Sequence, residues 1–219
     1  MIDTIRIAID GPSGAGKSTI AKRLAKLLGI DYIDTGAMYR AVGYKILQRN
    51  IDLGDKAAMN QLLEETEIDF TNGNIVLDGE IVNDKIRTPE VSKMASDCSA
   101  LPEVREKLVA LQKKMGQVKS VVMDGRDIGT NVLTDAEYKF FMTASSAERA
   151  HRRWLELKEK SESVDLKTVE EDIIRRDHND STRALNPLKK AEDAIELDTT
   201  GMSIDEVIEK ILEVIKWQS

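Results

Sequence analysis

The stretch that most restricts what this chain can fold into is GPSGAGKS, residues 11–18, which follows the short β-branched run IRIAI at residues 5–9. It fits the pattern G-x-x-x-x-G-K-[ST]. An apolar run bounded by glycines suits a buried parallel strand. From Lys17 onward Ile20, Leu24, Leu27 and Leu28 recur at helical spacing, and Gly29 is placed to close the helix. Strand, glycine-rich turn and helix are the context in which such a pattern has a mechanism. The glycines let backbone N–H groups approach a phosphate with no Cβ in the way, and the helix offers its positive end to the same anion. Gly11, Pro12, Ser13, Gly14, Ala15, Gly16, Lys17, Ser18 and Thr19 are therefore expected to cradle a nucleoside triphosphate. Lys17 would pair with the β- and γ-phosphates, and the Ser18 hydroxyl would ligate Mg2+.

The rest of the chain extends this layered pattern. Residues 31–34 predict a second strand, followed by a helix through Tyr39, Val42 and Leu47. At about residue 66 the periodicity changes to alternation, with turn signals at Asn72-Gly73-Asn74 and Asp78-Gly79, which predicts a small antiparallel meander. Helices follow near 89–99 and 102–115, the second with Pro102 in its first turn. Parallel-type strands resume at 120–124, 138–144 and 194–200, with helices over 146–160, 165–180 and 203–216. Five buried-type strands separated by helices, with one antiparallel insert, predict an α/β fold.

With 219 residues, 41% of them hydrophobic, one domain with a sizeable core is expected. A net charge of −7 leaves no basic footprint for a nucleic-acid polymer, although clustered arginines can still hold a small anion. The single cysteine, Cys98, rules out an intramolecular disulfide and fits a reducing compartment. No signal-peptide pattern or membrane-length apolar run is present, so a cytoplasmic location is expected.

Charged residues gather in a second set of motifs. DTGAMYR (34–40) and DGRDIGT (124–130) each leave the end of a predicted strand, where sites collect in sheets of this kind. VREKL (104–108) supplies Arg105. RRDHNDSTR (175–183) has three arginines, two aspartates and no apolar residue. By itself that last stretch also fits a solvated helix end held by Arg–Asp pairs. Asp124 has two readings of equal weight: a hold on Mg2+ through water, or an anchor for Ser18 or Arg126.

The ordered set DGPSGAGKST, DTGAMYRA, DKIRTPEVS, DGRDIGT, ERAHRR and RRDHNDSTRA resembles the bacterial cytidylate kinases over essentially the whole length. The resemblance implies a P-loop three-layer α/β fold with a five-stranded parallel sheet, a short lid and an inserted subdomain of small antiparallel sheet plus helices. It implies a core of 1–34, 105–145 and 190–219, a monophosphate-binding region of 35–104 with its insert at about 66–104, and a lid at about 146–185. The implied activity is direct in-line, Mg2+-dependent transfer of the γ-phosphate of ATP to CMP or dCMP, giving CDP or dCDP and ADP. Carried over to matching positions, Arg40, Arg126 and Arg183 would clamp the acceptor phosphate, and Arg176 and Asp180 would touch the sugar. Ser96, Arg105 and Asp127 would read the base. Thr35 belongs to the same acceptor site and stands where related sequences often carry serine. Arg149, Arg152 and Arg153 would close over the triphosphate and spread transition-state charge.

The expected partners are small nucleotides, with no nucleic-acid polymer or membrane, and a monomer is expected because the sequence has no long exposed apolar stripe. A kinase for another small acceptor, such as AMP, UMP or a non-nucleotide, a slow hydrolytic switch and an RNA-binding NTPase share the phosphate cradle. Against the switch, no guanine-reading N-K-x-D stretch is present; against the RNA reading stand the acidic balance and an aromatic content of 4%. His151 and His178 read as surface residues, Cys98 as a small core residue, and Trp154 and Trp217 as packing residues.

Overall fold

The computed structural model describes residues 4–71, 73–159 and 164–215. Trp217 lies outside them. The chain divides into two compact units, Met1–Tyr32 with Ser120–Ser219, and Ile33–Lys119.

The first unit begins with β1 (Arg6–Asp10), which leads through the glycine-rich loop into α1 (Lys17–Leu28). Gly16 caps that helix in the left-handed region at φ 83°, and Gly29 closes it at φ 65°, its N–H reaching the Ala25 carbonyl. Then comes β2 (Asp31–Asp34), in which the chain passes from one unit to the other.

The second unit opens with α2 (Thr35–Gln48), capped by the Asp34 carboxylate, which accepts from Ala37 N. Next is α3 (Lys56–Glu64), a helix that is not among those expected from the sequence. Its signals were local: Asp55 caps Ala58 N, and Met59, Leu62 and Leu63 bury one face. The meander follows as β3 (Ile68–Thr71), β4 (Asn74–Leu77) and β5 (Glu80–Ile81), antiparallel throughout. Its second turn has Asp78 and Gly79 both at positive φ, 50° and 83°, the geometry a tight hairpin needs. Lys45 on α2 is buried, and its ammonium holds the Asp78 carboxylate at 2.5 Å and the Glu65 carbonyl at 2.8 Å. That pins the meander to its own helix. Two Pro-initiated helices complete the unit, α4 (Pro89–Cys98) and α5 (Pro102–Gln117). Gly43 lets α2 and α4 approach, since a Cβ there would lie 2.9 Å from Ala95 N. Cys98 is fully buried, and that burial pushes its thiol up to about 12, so it packs as a small apolar residue.

Back in the first unit, β6 (Val121–Gly125) ends in one π-helical turn, Ile128–Val132, also unforeseen. After it come β7 (Tyr138–Thr143), α6 (Ser146–Glu159), α7 (Leu166–Thr182), β8 (Ile195–Asp198) and α8 (Ile204–Val214). The five-stranded sheet has the order β2-β6-β1-β7-β8. Its β6–β1, β1–β7 and β7–β8 pairs are parallel. Ile7, Ile9, Leu24, Val122, Phe140, Met142 and Ile211 form the core between this sheet, α1 and α8. One strand departs from the expected buried type. β8 is an edge strand and its Ile195 is 42% exposed, so its apolar letters reflect β-propensity more than burial. Trp154 packs with Ala150, Leu157, Val169 and Ile173 between α6 and α7, its indole N–H donating to the Val164 carbonyl at 3.0 Å.

Candidate active site

The phosphate loop has the backbone its sequence requires. Gly11 sits at φ 145°, where a Cβ would lie 2.0 Å from the Met142 carbonyl oxygen; no other residue fits. Gly14 sits at φ 76°, with a Cβ position 3.1 Å from Arg149 Cβ. The first turn of α1 carries no acidic side chain of its own, although the Asp124 carboxylate reaches it from β6 through Ser18. Lys17 is buried and donates to the Pro12 carbonyl at 2.7 Å, folding its ammonium back over the loop. Burial, and then the Arg126 charge, push Lys17 down to about 7 against the pull of Asp124, Asp10 and Asp180. A phosphate arriving there would supply the counter-charge that burial withholds.

Asp124, at the end of β6, accepts from the Ser18 hydroxyl at 2.8 Å and from the Tyr32 hydroxyl at 2.9 Å. Of its two readings, the anchor for Ser18 is therefore present as a hydrogen bond. Among the described residues no group of three or more His, Cys, Asp or Glu side chains forms a ready-made metal cage. The Ser18–Asp124 pair is a hard-oxygen donor set of the kind that Mg2+ takes when phosphates and water complete its coordination.

RRDHNDSTR forms the last turns of α7 and its end, and one side of it, with Asp180 buried, faces inward through alternating charge. Asp180 accepts from Arg126 Nε at 2.7 Å and lies 3.7 Å from an Arg183 nitrogen. Arg183 also donates to Asp127 at 3.1 Å and to the Asn186 carbonyl at 2.5 Å. Burial raises the Asp180 carboxyl, but Arg126, then Arg183 and Arg176, outweigh it and hold it below the usual range. The converse holds for Arg126: burial opposes its charge, and Asp180 restores it to above the ordinary value. Arg175, by contrast, is exposed and pairs along its own helix with Asp172 at 2.8 Å. The stretch is thus half solvated face and half buried network.

The three arginines of α6 separate. Arg149 is buried and braces the phosphate loop, donating to the Ser13 carbonyl at 2.8 Å and the Ala144 carbonyl at 2.9 Å, with Asp177 at 2.6 Å. Arg152 reaches toward Gly16, 4.0 Å from its Cβ position, while bonding the Thr199 carbonyl at 2.9 Å and Glu148 at 3.0 Å. Arg153 points elsewhere, to Glu156 at 2.9 Å.

In the second unit Arg40 donates to Asp34 at 2.9 Å, and its Nε is buried without an acceptor among the described residues. Arg87 adds a second guanidinium 3.6 Å from the same carboxylate. Arg87 lies in the DKIRTPEVS motif, and the sequence alone gives it no role. Thr35 is buried at the start of α2, and Ser96 is partly buried on α4, its carbonyl bonded to the Ser99 hydroxyl. Arg105 is only 2% exposed, with its guanidinium 5.6 Å from the Tyr39 ring centre and 3.3 Å from the Ser99 carbonyl. A buried arginine held over an aromatic face is a costly arrangement to keep for packing alone.

Asp10, which opens the DGPSGAGKST motif, likewise has no role legible in the sequence. It is buried and accepts from the backbone N–H of Ile128 at 2.8 Å and of Gly129 at 2.7 Å. Nothing local in the sequence signals this contact, because its partners lie more than a hundred residues away.

A parallel sheet whose central strand runs into this glycine loop, with a strand-end aspartate on the loop serine, defines a P-loop phosphate-binding protein. A chain from Eubacterium ventriosum described only as uncharacterized shares the fold, with a TM-score of 0.55 at 17% identity over 97% of this chain and 98% of that one. The family model for cytidylate kinase matches residues 7–217, and the chain belongs to that family. It is 52% identical to a cytidylate kinase of Alkaliphilus oremlandii over 98% of this chain and 99% of that protein. It is 54% identical to one from Caldicellulosiruptor bescii, covering 96% and 95%.

Proposed function

We infer that this protein is a phosphotransferase that moves the γ-phosphate of ATP to CMP or dCMP, giving CDP or dCDP and ADP. The observation that supports it most is the buried Arg126–Asp180–Arg183–Asp127 chain in the same unit as the phosphate loop. Two phosphates repel, and in-line transfer needs fixed cations between them. Arg126 and Arg183 meet that need because Asp180 holds both in place before substrate arrives. In the second unit the buried Nε of Arg40 is a donor suited to an acceptor phosphate. Lys17 and the loop amides would hold the donor phosphates, with Arg149 stiffening the loop and Arg152 beside it. Arg153 would need a new rotamer to reach them.

For the acceptor, Thr35, Ser96, Arg105 and Asp127 are the proposed contacts to the nucleotide, and Arg176 and Asp180 to its sugar. A carboxylate at Asp127 accepts from the N4 amino group of cytosine and repels the O4 carbonyl of uracil, which is how a built hydrogen bond discriminates. Mg2+, when bound, neutralises charge on the transferring phosphate, and Ser18 with Asp124 would hold it. We assign 1–34, 105–145 and 190–219 as core, 35–104 as the monophosphate-binding region with its insert at 66–104, and 146–185 as lid. A monomer in the cytoplasm, without a nucleic-acid polymer partner, fits the acidic charge and the lack of a membrane-spanning helix among the described residues.

The test is ADP formation from Mg2+–ATP with CMP, dCMP, UMP, AMP or no acceptor. Turnover confined to the cytosine nucleotides is expected. Equal turnover without any acceptor would overturn the reading.

A further inference from the structure

The structure assigns to Asp10 a positioning role: its carboxylate locks the turn carrying Arg126 and Asp127 to the start of the phosphate loop. The assignment rests on the phosphotransferase reading for its consequence, but not for its geometry. Asp10 is the last residue of β1, and the residue after it is Gly11, where the phosphate loop begins. Its two oxygens receive two consecutive backbone amides, Ile128 and Gly129, at 2.8 and 2.7 Å. Those amides open the π-helical turn directly after Arg126 and Asp127. A single buried side chain thus connects the donor-phosphate loop to the segment that holds the acceptor cations.

A π turn leaves its first amides without helical partners, and a buried amide without an acceptor is costly. The carboxylate satisfies both at once. The fit is close, since a Cβ on Gly129 would lie 3.2 Å from Lys139 Cδ and 3.4 Å from Asp10 Oδ2. Keeping a carboxylate here is unfavourable in itself: burial and the neighbouring Asp127 push it up to about 6, against the two amides and Lys17. A neutral residue would pack at lower cost, so the charge is retained for what it grips. With two donors in fixed positions, Arg126 and Asp127 cannot drift relative to Gly11 without breaking both bonds.

The isosteric variant Asp10→Asn separates this role from packing. It keeps the shape and one acceptor, and sets an NH2 donor against the second amide. The expected result is a fall of about 10- to 100-fold in kcat/KM for CMP. Loss of preference for CMP over UMP should accompany it, while ATP affinity, read by binding of a fluorescent ATP analogue, stays nearly unchanged. Equal losses for ATP and CMP, or unaltered CMP kinetics and preference, would overturn the assignment. A second measurement uses the unaltered chain and decides the case even if the variant does not fold. Amide hydrogen exchange at Ile128 and Gly129 should be as slow as in the central strands β1 and β6. Exchange at loop rates would overturn the assignment. If the unaltered protein fails to phosphorylate CMP, the functional reading falls and the exchange result still tests the grip of Asp10.

Discussion

Replacing Asp180 by asparagine removes one charge from the centre of the arginine network and little else. The side chain is 11% exposed and faces two guanidiniums that are themselves 21% and 7% exposed, Arg126 at 2.7 Å and Arg183 at 3.7 Å. Breaking a buried ion pair by deleting one partner costs about 3–5 kcal/mol, because the other partner stays buried without compensation. Asparagine preserves one hydrogen-bond acceptor, which places Asp180→Asn near the lower bound, at about 3 kcal/mol. In a chain of this size each kcal/mol shifts the melting temperature by roughly 2–4 °C, so a drop of about 6–12 °C is expected in chloride buffer. Sulfate gives the uncovered arginines a tetrahedral anion and should recover much of that drop, while it should help the unaltered protein far less. The pH dependence has a definite sign. Asp180 titrates below its ordinary value of 3.8 when folded, so its contribution is complete above that pH and lost as pH falls through the folded value. The difference between the two proteins should therefore shrink in acid. The assay is thermal unfolding by circular dichroism in matched chloride and sulfate, with acceptor kinetics alongside. An equal drop in both salts, or no drop in either, would refute the network argument.

Three further outcomes follow from the same geometry. Lys17 titrates near 7 when folded against 10.5 unfolded, so between those values the unfolded chain binds more protons and stability rises with pH through that interval. Nucleotide binding should raise the Lys17 pKa, and calorimetry at about pH 7.5 in buffers of different ionisation enthalpy should show proton uptake, which Lys17→Met abolishes. Gly11→Ala forces a Cβ to 2.0 Å from the Met142 carbonyl at φ 145°, so it should lose most soluble expression, whereas Gly73→Ala, also at positive φ (76°) but with open space around it, should keep the fold at a cost of about 1–2 kcal/mol. Asp127→Asn should narrow the CMP-over-UMP preference by about 1–3 kcal/mol, read from kcat/KM ratios, with ATP affinity held.

How far the sequence reached is clearest at particular residues. Gly11, Gly14, Gly16 and Lys17 were legible because their constraints are local: a positive φ, a close backbone approach and a helix start all sit within a few residues. The Asp78-Gly79 turn and the Pro-initiated helices were legible for the same reason. α3 has a cap and an apolar face but lies between stronger patterns, and β8 reads as a buried strand because isoleucine and leucine mark edge strands as well as central ones. Arg153 and Arg149 share one motif and one helix, yet one points to Glu156 and the other is buried against the phosphate loop. Helical position alone does not separate those fates.

What the sequence determined by itself is the phosphate loop, the alternation of strand and helix, and the family of motifs in order. What only tertiary structure decided is which charges meet. Asp10 finds Ile128 and Gly129, Asp180 finds Arg126, Arg183 finds Asp127, and Ser18 finds Asp124, each across tens to more than a hundred residues. No periodicity encodes such pairs. They follow from the parallel sheet, which brings the ends of β1 and β6 side by side, and from burial, which makes an unmatched charge too costly to keep.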